Sequence, residues 1–233
     1  MKYLVTGSAG LIGNQIVHDL EKSGEIVYSS YNNVKPVNGI PIKLNLLNLE
    51  DIRKTFQKIQ PDIIIHSAAL TDVEKCEIEL ELANSINVKA TEVIAKEVEK
   101  TNSYLMYIST DYIFDGKKGL YKETDSINPL NNYGKTKLLG EKIIENNTSK
   151  WSIVRTSTPF GVHSLKKTFP VWVYENLKNN KKINVLEDQF TSPTYVPNLS
   201  KMILEIVSRH LEGFFHLSGS TKISRFEFAK IIA

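Results

Sequence analysis

Apolar and polar positions alternate in blocks along the chain. Lys2–Thr6 is a short apolar run that ends at Gly7. Leu11–Lys22 carries Leu11, Ile12, Ile16, Val17 and Leu20 at helical spacing. Glu25–Ser29 and Ile42–Leu44 read as short strands. Asn48 is placed to cap a helix, and Glu50 and Asp51 suit its positive end. Pro61 stops that helix and opens Asp62–His66, where Ile63-Ile64-Ile65 fits a strand covered on both faces. A long helical pattern follows over Leu80–Lys100, then a strand at Tyr104–Ser109, a helix at Tyr133–Asn146 and a strand at Trp151–Arg155. Further strands are predicted at Ile183–Leu186 and Phe214–Leu217. Helices are predicted at Thr168–Lys178, Val196–Arg209 and Ser224–Ile232, the last opened by the capping-box pair Ser224 and Glu227.

Strands and helices alternating at this rhythm form βαβ units, hence a parallel sheet with helices on both faces. Regularity loosens after Arg155, where Pro159, Gly161, Pro170 and Pro193 fall among loops. The predicted class is therefore α/β: a doubly wound, mostly parallel Rossmann-type sheet with a small C-terminal substrate-binding lobe. The predicted division is 1–155, with about 195–209, as the dinucleotide-binding part. The lobe is 156–194 and 210–233, interleaved with it. The last helix runs to Ala233 without a C-cap, which leads us to expect a shortened chain or a brief tail.

Composition narrows the partners. The 233 residues include 29 basic and 26 acidic side chains, for a formal charge of +3, and 41% are hydrophobic. These are ordinary globular values. The pairs Lys117-Lys118, Lys166-Lys167 and Lys181-Lys182 read as solvated surface lysines, too sparse for a nucleic-acid stripe. Cys76 stands alone, so no internal disulfide forms, and it reads as an inert helix thiol. The N-terminus reaches Gly7 after too few apolar residues for a signal peptide, and no later run could span a membrane. A cytoplasmic protein with no membrane partner is expected. His18, His66, His163, His210 and His216 show no metal-ligand spacing, so no metal is expected; His66 reads as a packing residue.

Gly7-Ser8-Ala9-Gly10-Leu11-Ile12-Gly13 joins the first strand to the first helix. Glycines here let the turn close and let backbone N–H groups approach a pyrophosphate, at which the helix aims its positive end. A dinucleotide cofactor is the reading. The second strand ends in Ser29, Ser30, Tyr31, Asn32 and Asn33, without the carboxylate that meets a free ribose 2′-hydroxyl, and Lys35 follows. Hydroxyls and a cation favour NADP(H), with NAD(H) as the alternative.

Tyr133 and Lys137 are four residues apart on one predicted helix face. An ammonium ~4 Å from a phenol at an effective dielectric of ~20 is worth about 4 kcal/mol, and about 1.36 kcal/mol is one pKa unit. Lys137 is therefore expected to draw Tyr133 toward working pH, as a general acid requires. Thr110 ends the strand Tyr104–Ser109 at the edge of the ligand crevice, where it can orient a carbonyl.

Together these motifs resemble the extended short-chain dehydrogenase/reductase superfamily, and within it the dTDP-4-dehydrorhamnose reductase family. The most specific runs are Ser109-Thr110-Asp111-Tyr112-Ile113-Phe114-Asp115-Gly116 and Asp188-Gln189-Phe190-Thr191-Ser192-Pro193-Thr194. His66-Ser67-Ala68-Ala69 and Tyr133-Gly134-Lys135-Thr136-Lys137 support them. The resemblance implies Thr110, Tyr133 and Lys137 as the catalytic trio. It implies Gly7, Gly10, Leu11, Ile12, Gly13, Ser30, Asn45, Ala68, Ala69, Tyr133 and Lys137 at the cofactor. It implies Thr71, Val73, Asp111, Tyr112, Phe160, Phe169 and Gln189 toward a nucleotide-sugar substrate whose 4-keto group is reduced. A homodimer is a further implication. Thr158-Pro159-Phe160 stands where the family usually places a tryptophan, and Tyr112 stands where dehydratase relatives carry an acid. Two alternatives stay open: a sugar-nucleotide epimerase, and an NADP-binding regulatory subunit of the methionine adenosyltransferase type.

Overall fold

Strands with apolar side chains on both faces build the centre of the molecule. The computed structural model describes residues 1–163 and 166–233. β1 (Lys2–Thr6) turns Tyr3 and Val5 to one face and Leu4 to the other. α1 (Leu11–Lys22), β2 (Ile26–Tyr31), β3 (Ile40–Lys43) and α2 (Leu49–Ile59) follow. Asn48 caps α2 as expected, its side chain accepting from the N–H groups of Glu50 and Asp51. β4 (Ile63–His66) is buried at every position, as a strand between two helical layers must be.

After β4 come α3 (Val73–Ile78), α4 (Leu80–Asn84), α5 (Ala90–Thr101), β5 (Tyr104–Thr110), α6 (Asn132–Asn147) and β6 (Trp151–Thr156). The remainder is β7 (Pro159–Phe160), α7 (Phe169–Lys178), β8 (Phe190–Thr191), β9 (Thr194–Tyr195), α8 (Val196–Ser208), β10 (Gly213–His216), β11 (Ile223–Ser224) and α9 (Arg225–Ile232). Seven strands form one sheet in the order β10-β6-β5-β4-β1-β2-β3, and every registered pair in it is parallel.

α1 and α8 cover one face, where Ile16, Val17, Leu199 and Ile203 meet Val5, Ile65 and Met106. α2, α5 and α6 cover the other, where Phe56, Ile94 and Ile144 meet Leu4, Ile64 and Leu105. This is the doubly wound α/β architecture. β1 lies between β2 and β4, so the winding reverses there, and a crevice opens beyond the carboxyl ends of these strands.

Three expectations are corrected. The pattern over Leu80–Lys100 is helical but interrupted: Ser85–Lys89 forms a π-helical turn between α4 and α5. It sets Asn87 in the interior, where its amide takes the Leu70 N–H at 2.8 Å and donates to Leu70 O and Thr136 Oγ1, both at 3.1 Å. Ile183–Leu186 is not a strand. Ile183 and Val185 are half-buried between exposed neighbours, but no ladder forms beside them; β8 pairs antiparallel with β11 instead. β10, which the predicted division gives to the lobe, is the edge strand of the central sheet, in register with β6 from Gly213 to His216.

Candidate active site

The loop from Gly7 to Gly13 is closed to the point where side chains do not fit. Gly7 has φ +67°, and a Cβ there would lie 2.8 Å from Ala68 Cα. A Cβ on Gly13 would lie 2.4 Å from Gly7 O. Gly10 donates its N–H to Gly7 O at 2.9 Å and forms the N-cap of α1 with no side chain over the helix end. The amino end of α1 is thus open to the cleft, a cradle that fits a pyrophosphate. Ser8, which the sequence reading did not single out, fixes the loop to β2: its hydroxyl donates to Ser30 O at 2.7 Å.

The cleft has a volume of about 710 Å³. Gly7, Gly10, Leu11, Ile12, Gly13, Ser30, Asn45, Ala68 and Ala69 all line it, with Tyr31, Asn32 and Asn33 beside Ser30. These are neutral hydroxyls and amides. Lys35, the expected cation, is exposed and outside the lining, because the chain bends away after Tyr31 toward β3. Ala68 N–H is held by Thr6 Oγ1 at 3.2 Å, which keeps the β4 end against the glycine loop.

Thr110, at the end of β5, meets α6 across the cleft. Its hydroxyl donates to Asp111 Oδ1 and accepts the Tyr112 N–H, both at 3.3 Å, and its side chain acts on the Tyr133 phenol. Tyr133 is placed by the start of α6, where the Asn131 side chain caps the helix through Gly134 N–H at 2.7 Å. Its ring meets Tyr112 edge to face at 5.7 Å. Burial pushes the phenol above its usual value; the Thr110 side chain opposes this and the Asp111 carboxylate adds to it.

Lys137, expected to draw the phenol downward, is itself deeply buried. In this structure its charge does not draw the phenol downward. The side chain is 2% exposed, and Nζ lies over the Tyr107 ring, 3.9 Å from the centroid. Burial lowers its pKa to about 7, with Glu141 opposing. Tyr133 keeps its proton at neutral pH.

Tyr133, Lys137 and Glu141 succeed one another every four residues along α6, one stripe of the helix. Glu141 anchors the buried end. It accepts from Arg155 Nη2 at 2.8 Å and Nε at 3.2 Å, and from the Ser109 hydroxyl. Arg155 is also buried and lies over Phe214 at 4.6 Å. Ser109 and Thr110 both line the cleft, and the Ser109 hydroxyl is spent on Glu141. His66 bonds Thr6 Oγ1 at 2.7 Å and Thr91 Oγ1 at 3.1 Å. Burial, with Lys137 adding, lowers its pKa to about 3, so it is a neutral packing imidazole.

On the substrate side, Thr71, Val73, Asp111, Tyr112 and Phe169 line the same cleft. Asp111 accepts from the Thr110 hydroxyl at 3.3 Å, and burial raises its pKa. Gln189 is outside the lining; its side chain favours the ionised Tyr112 phenol against the burial that raises its pKa. Phe160 is corrected: the β7–β9 ladder turns it to Tyr195 at 5.6 Å and Phe228 at 5.5 Å, and it lines a separate cavity. Thr158 does line the cleft, at φ +41°, a strained value for a β-branched residue. Lys166, Lys167 and Arg225 also line it; nothing in the sequence pattern marked them out from other surface cations. Among the described residues no group of three His, Cys, Asp or Glu is placed to hold a metal ion, and no helix is long and apolar enough to cross a membrane.

Comparison with known proteins places these features in a family. Residues 1–233 match the family described as RmlD substrate binding domain. A hypothetical dTDP-4-dehydrorhamnose reductase from Sulfolobus tokodaii superposes with TM-score 0.91 at 39% identity, over 100% of this chain and 81% of that one. The dTDP-4-dehydrorhamnose reductase of Bacillus anthracis in complex with NADP gives TM-score 0.90 at 33% identity, over 99% and 79%. Methionine adenosyltransferase 2 subunit beta of Xenopus tropicalis is 32% identical over 96% of this chain and 69% of its own length. The chain belongs to the RmlD substrate binding domain family.

Proposed function

We propose that this chain is an NADP(H)-dependent reductase of the 4-keto group of a nucleotide-linked deoxysugar, the reaction of dTDP-L-rhamnose synthesis. One observation carries the reading: a buried, protonated Tyr133 and Thr110 line the same cleft that begins at the glycine loop. The names of the Sulfolobus tokodaii and Bacillus anthracis neighbours support it, the latter with its NADP.

The glycine loop and the amino end of α1 hold the pyrophosphate. Ser30 takes the adenosine ribose side, Asn45 the adenine, and Ala68 and Ala69 flank the nicotinamide end. Bound reduced nicotinamide supplies the hydride. Thr110 orients the sugar carbonyl and Tyr133 gives its proton to the carbonyl oxygen, leaving a secondary alcohol. Lys137 holds the nicotinamide ribose and restores charge beside the phenolate that Tyr133 becomes. Residues 1–155 and about 195–209 serve the cofactor, and 156–194 and 210–233 serve the sugar, apart from β10. A cytoplasmic homodimer belongs to the same reading.

The test is NADPH oxidation by the purified protein with a dTDP-4-keto-6-deoxy sugar. Oxidation matched by alcohol product is expected. Absence of oxidation from protein that binds both ligands would overturn the proposal. The regulatory-subunit reading prompted by the Xenopus relative predicts no turnover, so the same assay decides it.

A further inference from the structure

Beneath Lys137 lies a charge balance that the proton transfer itself does not use. Lys137, Glu141 and Arg155 are all buried, which leaves one anion between two cations. A buried cation needs a counter-charge, so both compete for the same carboxylate. Glu141 follows Lys137 by four residues on α6, which places their Cβ atoms ~5–6 Å apart. Yet its oxygens are taken by Arg155: Nη2 donates to Oε2 at 2.8 Å and Nε to Oε1 at 3.2 Å, a bidentate grip. The Ser109 hydroxyl donates to Oε1 as well. Among the described residues no hydrogen bond or ion pair engages the Lys137 ammonium, which rests on the Tyr107 ring.

Arg155 is fixed from its far side too. Its Nη1 donates to Glu123 O at 3.3 Å and lies 3.5 Å from His216 Nε2. His216 Nδ1 faces Tyr121 O at 3.0 Å, so Nδ1 carries the proton and Nε2 accepts from the guanidinium. Glu123 Oε1 takes the His216 N–H at 2.9 Å. These contacts keep the fork on the β6 side, with the Glu141 carboxylate drawn to it.

We propose that Glu141 is the counter-ion of the Lys137 ammonium, and that Arg155, by holding that carboxylate, sets how much of its charge Lys137 receives. Both are positioning residues, and the proposal rests on the reductase reading for the step that Lys137 serves. The other titratable groups around the ammonium are Tyr133 on α6, Tyr107 on β5 and His66 on β4, with His216 and Glu123 behind Arg155. Burial keeps both phenols protonated and His66 neutral, while Glu141 supports the charged lysine against burial. Opposite effects follow for the two partners. Removing Arg155 frees the carboxylate for Lys137; removing Glu141 leaves the ammonium without a counter-charge. A purely structural pair would not move the lysine in opposite directions.

The experiment is a carbon-13 NMR titration of the full chain with its lysines labelled at Cε, without cofactor. Loss of one signal in Lys137→Met assigns Lys137. Arg155→Gln is expected to raise the Lys137 midpoint by about one pH unit. Glu141→Gln combined with Arg155→Met removes the pair together and is expected to lower the midpoint by about one unit. In NADPH turnover the alkaline limb is expected to move with the midpoint, in the same direction. Should Arg155→Gln fail to fold by circular dichroism, the paired variant decides alone. A midpoint within about 0.3 unit of the parent in the folded paired variant, or shifts of one sign in both variants, overturns the proposal. Because the titration needs no turnover, midpoints that move as expected in a chain that reduces no keto sugar would keep the counter-ion and sink the reductase reading.

Discussion

The Lys137 ammonium rests 3.9 Å from the centre of the Tyr107 ring, two strand residues before Ser109 and three before Thr110. Glu141 on the same helix and the neutral His66 on β4 are the other titratable groups whose fields meet it. A desolvated cation over an aromatic face is stabilised by ~2 kcal/mol. Tyr107→Leu removes that face and makes the charged lysine still less favourable. Turnover at neutral pH is expected to fall about 10- to 30-fold, and the alkaline limb of the pH profile to move down by about one unit. Tyr107→Phe keeps the face and is expected to stay within about twofold of the parent. Steady-state pH profiles of both variants check this.

A related stability effect has a definite sign. Lys137 titrates at about 7 in the folded chain and near 10.4 when unfolded. Between those values the unfolded chain carries a proton that the folded chain has released. Stability from this group therefore rises with pH across that window, by at most ~1.36 kcal/mol per pH unit. Lys137→Met is expected to flatten that slope and to raise stability at neutral pH. Urea midpoints across the window, without cofactor, measure it.

The buried pair beneath Lys137 is predicted to matter for folding. Glu141→Gln leaves the Arg155 guanidinium buried without its counter-charge, a change that costs about 3–5 kcal/mol. Changing both residues together, to Gln and Met, is expected to recover part of this, because no uncompensated charge remains. Chemical denaturation of the single and double variants reads both values.

The glycine loop allows a test confined to the cofactor. Gly13→Ala would put a methyl 2.4 Å from Gly7 O and 2.9 Å from Ser67 Oγ. Overpacking of this kind costs about 1–3 kcal/mol and must shift the amino end of α1. NADPH affinity is expected to fall at least about tenfold, as read by fluorescence titration.

The central sheet and the gathering of Thr110, Tyr133 and Lys137 on one cleft were legible because each rests on local rules. Strand alternation, helical spacing and the four-residue interval from Tyr133 to Lys137 do not depend on distant residues. Misreadings arose where distant packing decides. The Ile183–Leu186 pattern suits a strand, yet a strand needs a neighbour to pair with, which no local pattern reveals. Phe160 sits in a family-specific run, but the β7–β9 ladder turns its ring to Tyr195. The direction of the Lys137 effect was missed because sequence spacing gives proximity but not burial, and burial dominates both Tyr133 and Lys137. Arg225 was illegible for the same reason: only the fold brings α9 back to Phe169 and Asp111.

The central claim is that Tyr133 protonates a sugar ketone as that ketone is reduced in this cleft. Turnover of a dTDP-4-keto-6-deoxy sugar with stereospecifically deuterated NADPH, followed by mass spectrometry of the product, tests it most directly. The account predicts one deuterium on the former carbonyl carbon, and a loss of about 10²- to 10⁴-fold in rate for Tyr133→Phe with NADPH binding retained. A product without deuterium, or a Tyr133→Phe variant that turns over at the parent rate, would contradict it.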